Sequence, residues 1–297
     1  MLKKKSVAVY DLAGRRTRTI GVIVPKLDSH FITSALEGIH KVISETRYDI
    51  IITHSQERME KEAANVRLLF DRCVDGVLAS LSIETRDTSH FALFRDKGVP
   101  VVFFDRVKRA SSSDTVVIDN AGCGFLATEH LIRQGCKRIA IITPGREGEA
   151  YAQRYKGFRQ ALEKYNMTFS KEFHIAAGGD MDCGIDAAHQ VLRLRPLPDG
   201  LFITNDMAAA VCMQILNEAG IRVPDDMAIV GFNNDPVGRL ITPALTTIDY
   251  PGFEIGRTAA ASLLDHLSGR KKAERGSTSI VPSALIVRGS SLKCQAG

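Results

Sequence analysis

Polar side chains recur just after short apolar runs of this chain: Asp28-Ser29-His30-Phe31, Ser80, Asp105-Arg106, Asp119-Asn120, Asn205-Asp206, Asn233-Asn234-Asp235 and Asp249-Tyr250. Arg154 adds a guanidinium just inside an amphipathic segment. Amides, hydroxyls, carboxylates, a planar cation and aromatic rings together suit a hydroxyl-rich ligand, which needs many fixed donors and acceptors and an apolar face to stack on. The chemistry suggested is binding of a sugar or polyol, with Ser29, His30, Phe31, Ser80, Asp105, Arg154, Asn205, Asp206, Asn233 and Tyr250 as candidate contacts. With no tryptophan in the chain, Phe31, Tyr151, Tyr250 and Phe253 are the stacking candidates. Each residue alone has a plainer alternative. Ser29, Asn205 and Asp206 can cap helices, Asp105 can satisfy a loop, Arg154 can pair with Glu147 or Glu149, and Phe31 can be core. Their common position is what favours a site.

Other chemistries find less support. No phosphate-binding Gly-x-x-x-x-Gly-Lys-Ser/Thr, no Gly-x-Ser-x-Gly and no His-Glu-x-x-His occurs, and the eight histidines are dispersed. Gly122-Cys-Gly124-Phe-Leu-Ala127 has the form of a dinucleotide fingerprint. That fingerprint belongs in the first βα turn with an acid ending the next strand, whereas here the fifth strand precedes it and the next strand ends Thr143-Pro144-Gly145. The plainer alternative is that Asp119 or Asn120 caps a helix and Gly124 permits close packing. Six cysteines without a Cys-x-x-Cys read as reduced and structural. No metal, cofactor or catalytic group is expected.

The elements that must position these residues alternate in type. β-branched runs such as Thr19 to Pro25, Tyr48 to Thr53, Gly76 to Ser80, Val101 to Asp105 and Thr115 to Asp119 are separated by amphipathic stretches, as in parallel sheets. A second set starts at Arg138 to Thr143 and continues through Phe173 to Ala176, Leu201 to Thr204 and Met227 to Phe232. About ten strands and eight or nine helices exceed one three-layer domain. The expectation is α/β architecture with two doubly wound parallel-sheet subdomains, residues 19–119 plus about 250–276 and residues 120–249 plus about 277–292. Ligands of such sheets bind beyond the strand carboxyl ends, so a cleft between the subdomains is the expected seat.

The charge distribution is uneven. Lys and Arg number 39 against 34 Asp and Glu, and the whole net charge of +5 lies in residues 1–18, which hold six bases and only Asp11 as an acid. Such an arm either meets a polyanion or is a solvated tail. No apolar run reaches the 18 or more residues of a membrane helix, and the basic start has no apolar stretch of secretory length, so a cytoplasmic protein is expected.

The same residues carry a family resemblance. Arg16 to Pro25, Val99-Pro-Val-Val-Phe-Phe-Asp-Arg106, Val117-Ile-Asp-Asn120, Arg154-Tyr-Lys-Gly-Phe158, Phe202-Ile-Thr-Asn-Asp206, Pro243-Ala-Leu-Thr-Thr-Ile248 and Leu285-Ile-Val-Arg-Gly-Ser290, in this order and spacing, resemble the LacI/GalR family of bacterial transcription repressors. The core of that family resembles periplasmic sugar-binding proteins, and the match runs from Leu12 to Ser291. The resemblance implies a small-molecule effector in the inter-subdomain cleft, operator DNA and a second copy of the chain as partners, and no membrane. It places the family's cleft arginine on Arg154, its strand-end Asn-Asp on Asn205-Asp206, its aspartate after proline on Asp105 and its first-helix aromatic segment on His30-Phe31. Two departures concern the ligand's chemistry: Asn233 stands in the usual Gly-Tyr/Phe-Asp, and Tyr250 replaces a common Gln. It implies dimer contacts near Arg58 to Phe70, where Val66, Leu68, Leu69 and Phe70 form an apolar stripe, and near Leu240 to Thr246. Leu12, Arg15, Arg16 and Arg18 fall in the basic hinge or linker, residues 1–18; the family's helix-turn-helix headpiece is not expected in this sequence. The competing readings are a transport-type sugar-binding protein of the same architecture and a dinucleotide-dependent oxidoreductase.

Overall fold

The computed structural model describes residues 16–108, 113–145, 148–178, 180–271 and 276–293. In chain order these form β1 (Thr19–Val24), α1 (His30–Ile43), β2 (Asp49–His54), α2 (Met59–Asp71), β3 (Gly76–Ala79), the single turn α3 (Ala92–Arg95), β4 (Val101–Phe104) and β5 (Asp114–Val117). There follow α4 (Asn120–Arg133), β6 (Ile139–Pro144), α5 (Glu149–Lys164), β7 (His174–Ala177), α6 (Asp180–Arg193), β8 (Gly200–Ile203), α7 (Asp206–Glu218) and β9 (Ala228–Asn233). The single turn α8 (Val237–Leu240), β10 (Thr246–Asp249), α9 (Gly252–Leu267), β11 (Thr278–Ile280) and β12 (Leu285–Ile286) complete the chain.

Two compact units result, residues 1–117 with 251–281 and residues 118–250 with 282–297, so the chain passes between them three times. Unit 1 holds a wholly parallel sheet in the order β11-β5-β4-β3-β1-β2. Its strands are buried because helices cover both faces, which is why β1 and β3 read as unbroken apolar runs rather than alternating ones. Ser29 starts α1 by accepting from the Ile32 amide, and Phe31, Ile32, Ala35, Ile39 and Ile43 then recur at helical spacing on its buried face.

Unit 2 repeats the plan as β12-β10-β9-β8-β6-β7, with only β12 antiparallel. Its core joins Ile142, Ile175, Val191, Leu201, Met213 and Ile229. The α4 and α5 backbones meet directly: a Cβ on Gly157 would overlap the Ala121 carbonyl, and one on Gly124 would overlap the Arg154 carbonyl. Gly124 thus serves close helix packing, and Asp119 caps α4 through the Gly122 amide at 2.9 Å. Those are the plainer roles weighed for the Gly-Cys-Gly segment.

Three details differ from the expected positions. The third passage between units falls after residue 281 rather than near 276, because β11 pairs with β5 of unit 1 (Thr278 opposite Thr115). Buried Asp114 fixes that pairing by accepting from Ser262 Oγ, Lys271 Nζ and the Ser277 amide, contacts that hold its carboxyl well below the usual carboxylate range. The first passage likewise comes at 117/118 rather than 119/120. The apolar stripe on α2 is largely interior: Val66 and Leu69 are fully buried in the unit 1 core, and Leu68 is the member that stays 44% exposed.

Candidate functional site

In each unit the strand order reverses direction beside the first strand, between β1 and β3 and between β6 and β8. Open α/β sheets gather ligands at the strand carboxyl ends near such a reversal. In unit 2 that position is occupied by Arg154, which projects from the first turns of α5 and is 4% exposed. Its Nε donates to Asn120 Oδ1 at 2.9 Å and its Nη1 to the Thr204 carbonyl, just past β8, at 3.1 Å. The guanidinium carbon lies 3.5 Å from the ring centre of Phe232, 5.2 Å from that of Tyr151 and 5.5 Å from that of Tyr250. Tyr250 meets Phe232 edge-on at 5.8 Å. Arg154 is therefore clamped on one edge by two neutral acceptors and on one face by an aromatic ring, an arrangement that fixes the direction of its remaining N–H groups.

The other unit 2 candidates have unequal roles. Asn205 caps α7, its Oδ1 accepting from the Ala208 amide at 2.9 Å. Asn233 ends β9 with a positive φ of 125° and is followed by Asn234 at 60°, two residues in a conformation costly for most side chains and easier for asparagine. Asn233 Nδ2 donates to Asp235 Oδ2 at 3.3 Å. Asn234 is held by Asp249 Oδ1 at 3.0 Å and by Arg288 Nη2 at 2.7 Å. The Arg288-Gly-Ser segment thus supports the β9 turn, while Ser290 Oγ accepts from the Thr246 amide.

Asp206 differs from its expected part. It is fully buried, with Oδ1 accepting from Thr247 Oγ1 at 2.7 Å and Oδ2 from the Asp235 amide at 2.8 Å. It fits only because residue 231 is glycine; a Cβ there would overlap Asp206 Oδ1. Burial pushes its carboxyl up to about 7. With both oxygens engaged below the surface, Asp206 positions the turn after β9 rather than presenting an acceptor to a ligand.

In unit 1, Ser80 Oγ donates to Asp105 Oδ2 at 2.9 Å, and Asp105 adopts a φ of 61° at the end of β4. Arg106 is bound to Glu57 at 2.6 Å. Ser29 caps α1, His30 is exposed beside it, and Phe31 turns inward. Ser80 with Asp105, and Ser29 with His30, therefore sit together at the strand ends of unit 1, whereas Phe31 belongs mainly to the core. Arg16 and Arg18 are exposed; Arg16 Nη1 donates to Tyr48 Oη at 3.3 Å, and the Arg18 amide donates to Asp75. Leu12, Arg15 and Glu147 lie outside the described residues.

Sequence reasoning missed Phe232 as the platform under Arg154, and Thr247 and Arg288 as supports. Among the described residues, no group of three His, Cys, Asp or Glu side chains is placed to hold a metal ion, and no helix is long and apolar enough to cross a membrane. Burial pushes the Cys123 and Cys136 thiols up to about 11 and Cys212 to about 12, leaving these three as unreactive thiols.

The chain is similar in sequence and fold to known proteins. Residues 128–291 match the family described as periplasmic binding protein-like domain. The HTH-type transcriptional repressor PurR of Vibrio atlanticus is 27% identical over 270 residues, covering 91% of this chain and 80% of the relative. The ribose operon repressor of Halalkalibacterium halodurans is 30% identical over 273 residues, covering 91% and 78%. A solved LacI family transcriptional regulator from Enterococcus faecium, with bound ribose, superposes with a TM-score of 0.81 at 28% identity over 93% of this chain and 100% of that one.

Proposed function

Because the chain belongs to the LacI/GalR family of transcriptional regulators, we propose that it is the effector-binding core of such a regulator, taking a sugar or sugar derivative at the strand ends and binding it without turnover. The observation that carries this reading is Arg154: a buried planar cation, stacked on Phe232 and clamped by Asn120, with N–H groups still available to a ligand. In unit 2, Tyr151 and Tyr250 supply flanking rings and Asn233 an amide; in unit 1, Ser29, His30, Ser80 and Asp105 are the candidate polar groups. Effector binding changes the balance between conformations of the regulator and thereby its hold on operator DNA, an effect that requires differential affinity for two states and no chemistry. Exposed Arg16 and Arg18, with Leu12 and Arg15, are assigned to the DNA-proximal hinge, where guanidinium groups contact phosphates and fix orientation without reading sequence.

The reading is tested by thermal unfolding in the presence of sugars, sugar derivatives, purines and nicotinamide cofactors. A compound of the sugar class at 100 times its Kd is expected to add about 2.7 kcal/mol and to be recovered unchanged. Stabilisation by a nicotinamide cofactor with none by any sugar derivative would refute it.

The regulator is further proposed to act as a homodimer, since a palindromic operator requires two-fold symmetry. Leu68 on α2 and Leu240, 82% exposed at the end of α8, are the apolar side chains offered near the two expected contact regions. Sedimentation at micromolar concentration should give twice the 32.5 kDa chain mass; a monomer alone would refute the assignment.

A further inference from the structure

Arg154 carries a charge that no ion pair among the described residues balances. The groups it touches, an amide oxygen, a backbone carbonyl and aromatic faces, are all neutral. Among the described residues no carboxylate lies within ion-pair distance of it, and Nη2 has no protein acceptor. A buried ammonium relieves such a situation by losing its proton; a guanidinium cannot, so it requires a counter-charge or leaves a standing cost. The acids at the strand ends of unit 2 make hydrogen bonds elsewhere, Asp235 Oδ2 accepting from Asn233 Nδ2 at 3.3 Å. Asp119 Oδ1 caps α4, Asp249 Oδ1 holds Asn234, and both oxygens of Asp206 are taken by Thr247 and the Asp235 amide. The other short polar side chains at these strand ends, Asn120, Asn205, Asn233 and Asn234, are amides and supply no negative charge.

We infer that the effector of this site bears a carboxylate, received by the free N–H groups of Arg154, so that its class is a sugar acid or similar hydroxylated carboxylic acid rather than a neutral sugar. This rests on the reading of Arg154 as an effector contact. Two of the three remaining N–H groups of the guanidinium match the two oxygens of a carboxylate, giving short charge-assisted bonds. A single cation also balances a monoanion. A phosphate dianion would call for a second cation, and both terminal nitrogens of Arg288 already serve the Leu245 carbonyl and Asn234 Oδ1.

The test is calorimetric titration of matched pairs into the wild-type chain: D-glucose and D-gluconate, D-galactose and D-galacturonate, D-ribose and D-ribonate, with D-glucose 6-phosphate as the phosphoryl arm. At least one acid is expected to bind tenfold or more tighter than its neutral partner. That ratio should survive in Arg154→Lys, which keeps the charge, and collapse toward one in Arg154→Gln, with near-ultraviolet circular dichroism showing both variants folded. A neutral member binding as tightly as its acid, the phosphate binding more tightly than every carboxylate, or no carboxylate binding at all would overturn the inference. The two levels separate cleanly: neutral sugars that bind wild type and weaken in Arg154→Gln leave the effector site standing and remove only the carboxylate, whereas equal binding to both proteins removes Arg154 from the site.

Discussion

Replacing Asp206 by asparagine is expected to stabilise the protein relative to wild type as pH rises, by on the order of 4 kcal/mol between pH 4 and pH 8 at about 1.4 kcal/mol per pKa unit. The carboxyl titrates near its ordinary value of 3.8 in the unfolded chain and near 7 when buried in unit 2. Between those values the native state holds a proton that the unfolded chain has released, so unfolding free energy falls with pH across the window. The favourable contribution of the neutral acid is complete below about pH 4 and gone above about pH 7. Asparagine has no such proton. Its amide oxygen can accept from the Asp235 amide while its NH2 turns to Thr247 Oγ1, preserving both contacts. Asp114, held ionised in unit 1, gives the opposite slope in acid, but it is common to both proteins and cancels in the difference. Urea unfolding at a series of pH values provides the measurement; a wild-type-to-variant difference that stays flat from pH 4 to 8 would exclude the account of Asp206.

The alternation of apolar strands with amphipathic helices was readable because parallel sheets bury both faces of each strand, and the two-unit plan followed from the number of those strands. Caps were equally local: Ser29, Asp119 and Asn205 each act on an amide three residues ahead. What was not readable depends on distant partners. Position after a strand says that Asp206 stands at the sheet's carboxyl edge, but its burial is decided by the missing side chain at Gly231 and by Thr247 on another strand. Arg154 was identified from its own surroundings, whereas Phe232, the ring beneath it, is brought there only when β9 takes its place beside β8. The short polar strand Thr278–Ile280 has no hydrophobic run to announce it; its place in unit 1 comes from Asp114, far earlier in the chain. Val66 and Leu69 share a stripe with exposed Leu68, and only the tertiary packing of α2 on the β1 side of the sheet separates core from surface.

Arg154 joins the fold of unit 2 to its proposed function, and its removal should have the largest effect on binding. Glutamine is the suitable replacement, since alanine would also leave Asn120 Oδ1 and the Phe232 face without a partner. Losing two charge-assisted bonds at about 1.5 to 3 kcal/mol each corresponds to a weakening of about a hundredfold or more. The decisive measurement is calorimetric titration of the most strongly stabilising sugar-class compound into wild type and Arg154→Gln. One site per wild-type chain, with at least hundredfold weaker binding to a variant that keeps the wild-type circular dichroism spectrum, is the expected result. Equal affinity in the two proteins would contradict the assignment of Arg154 as the centre of an effector site.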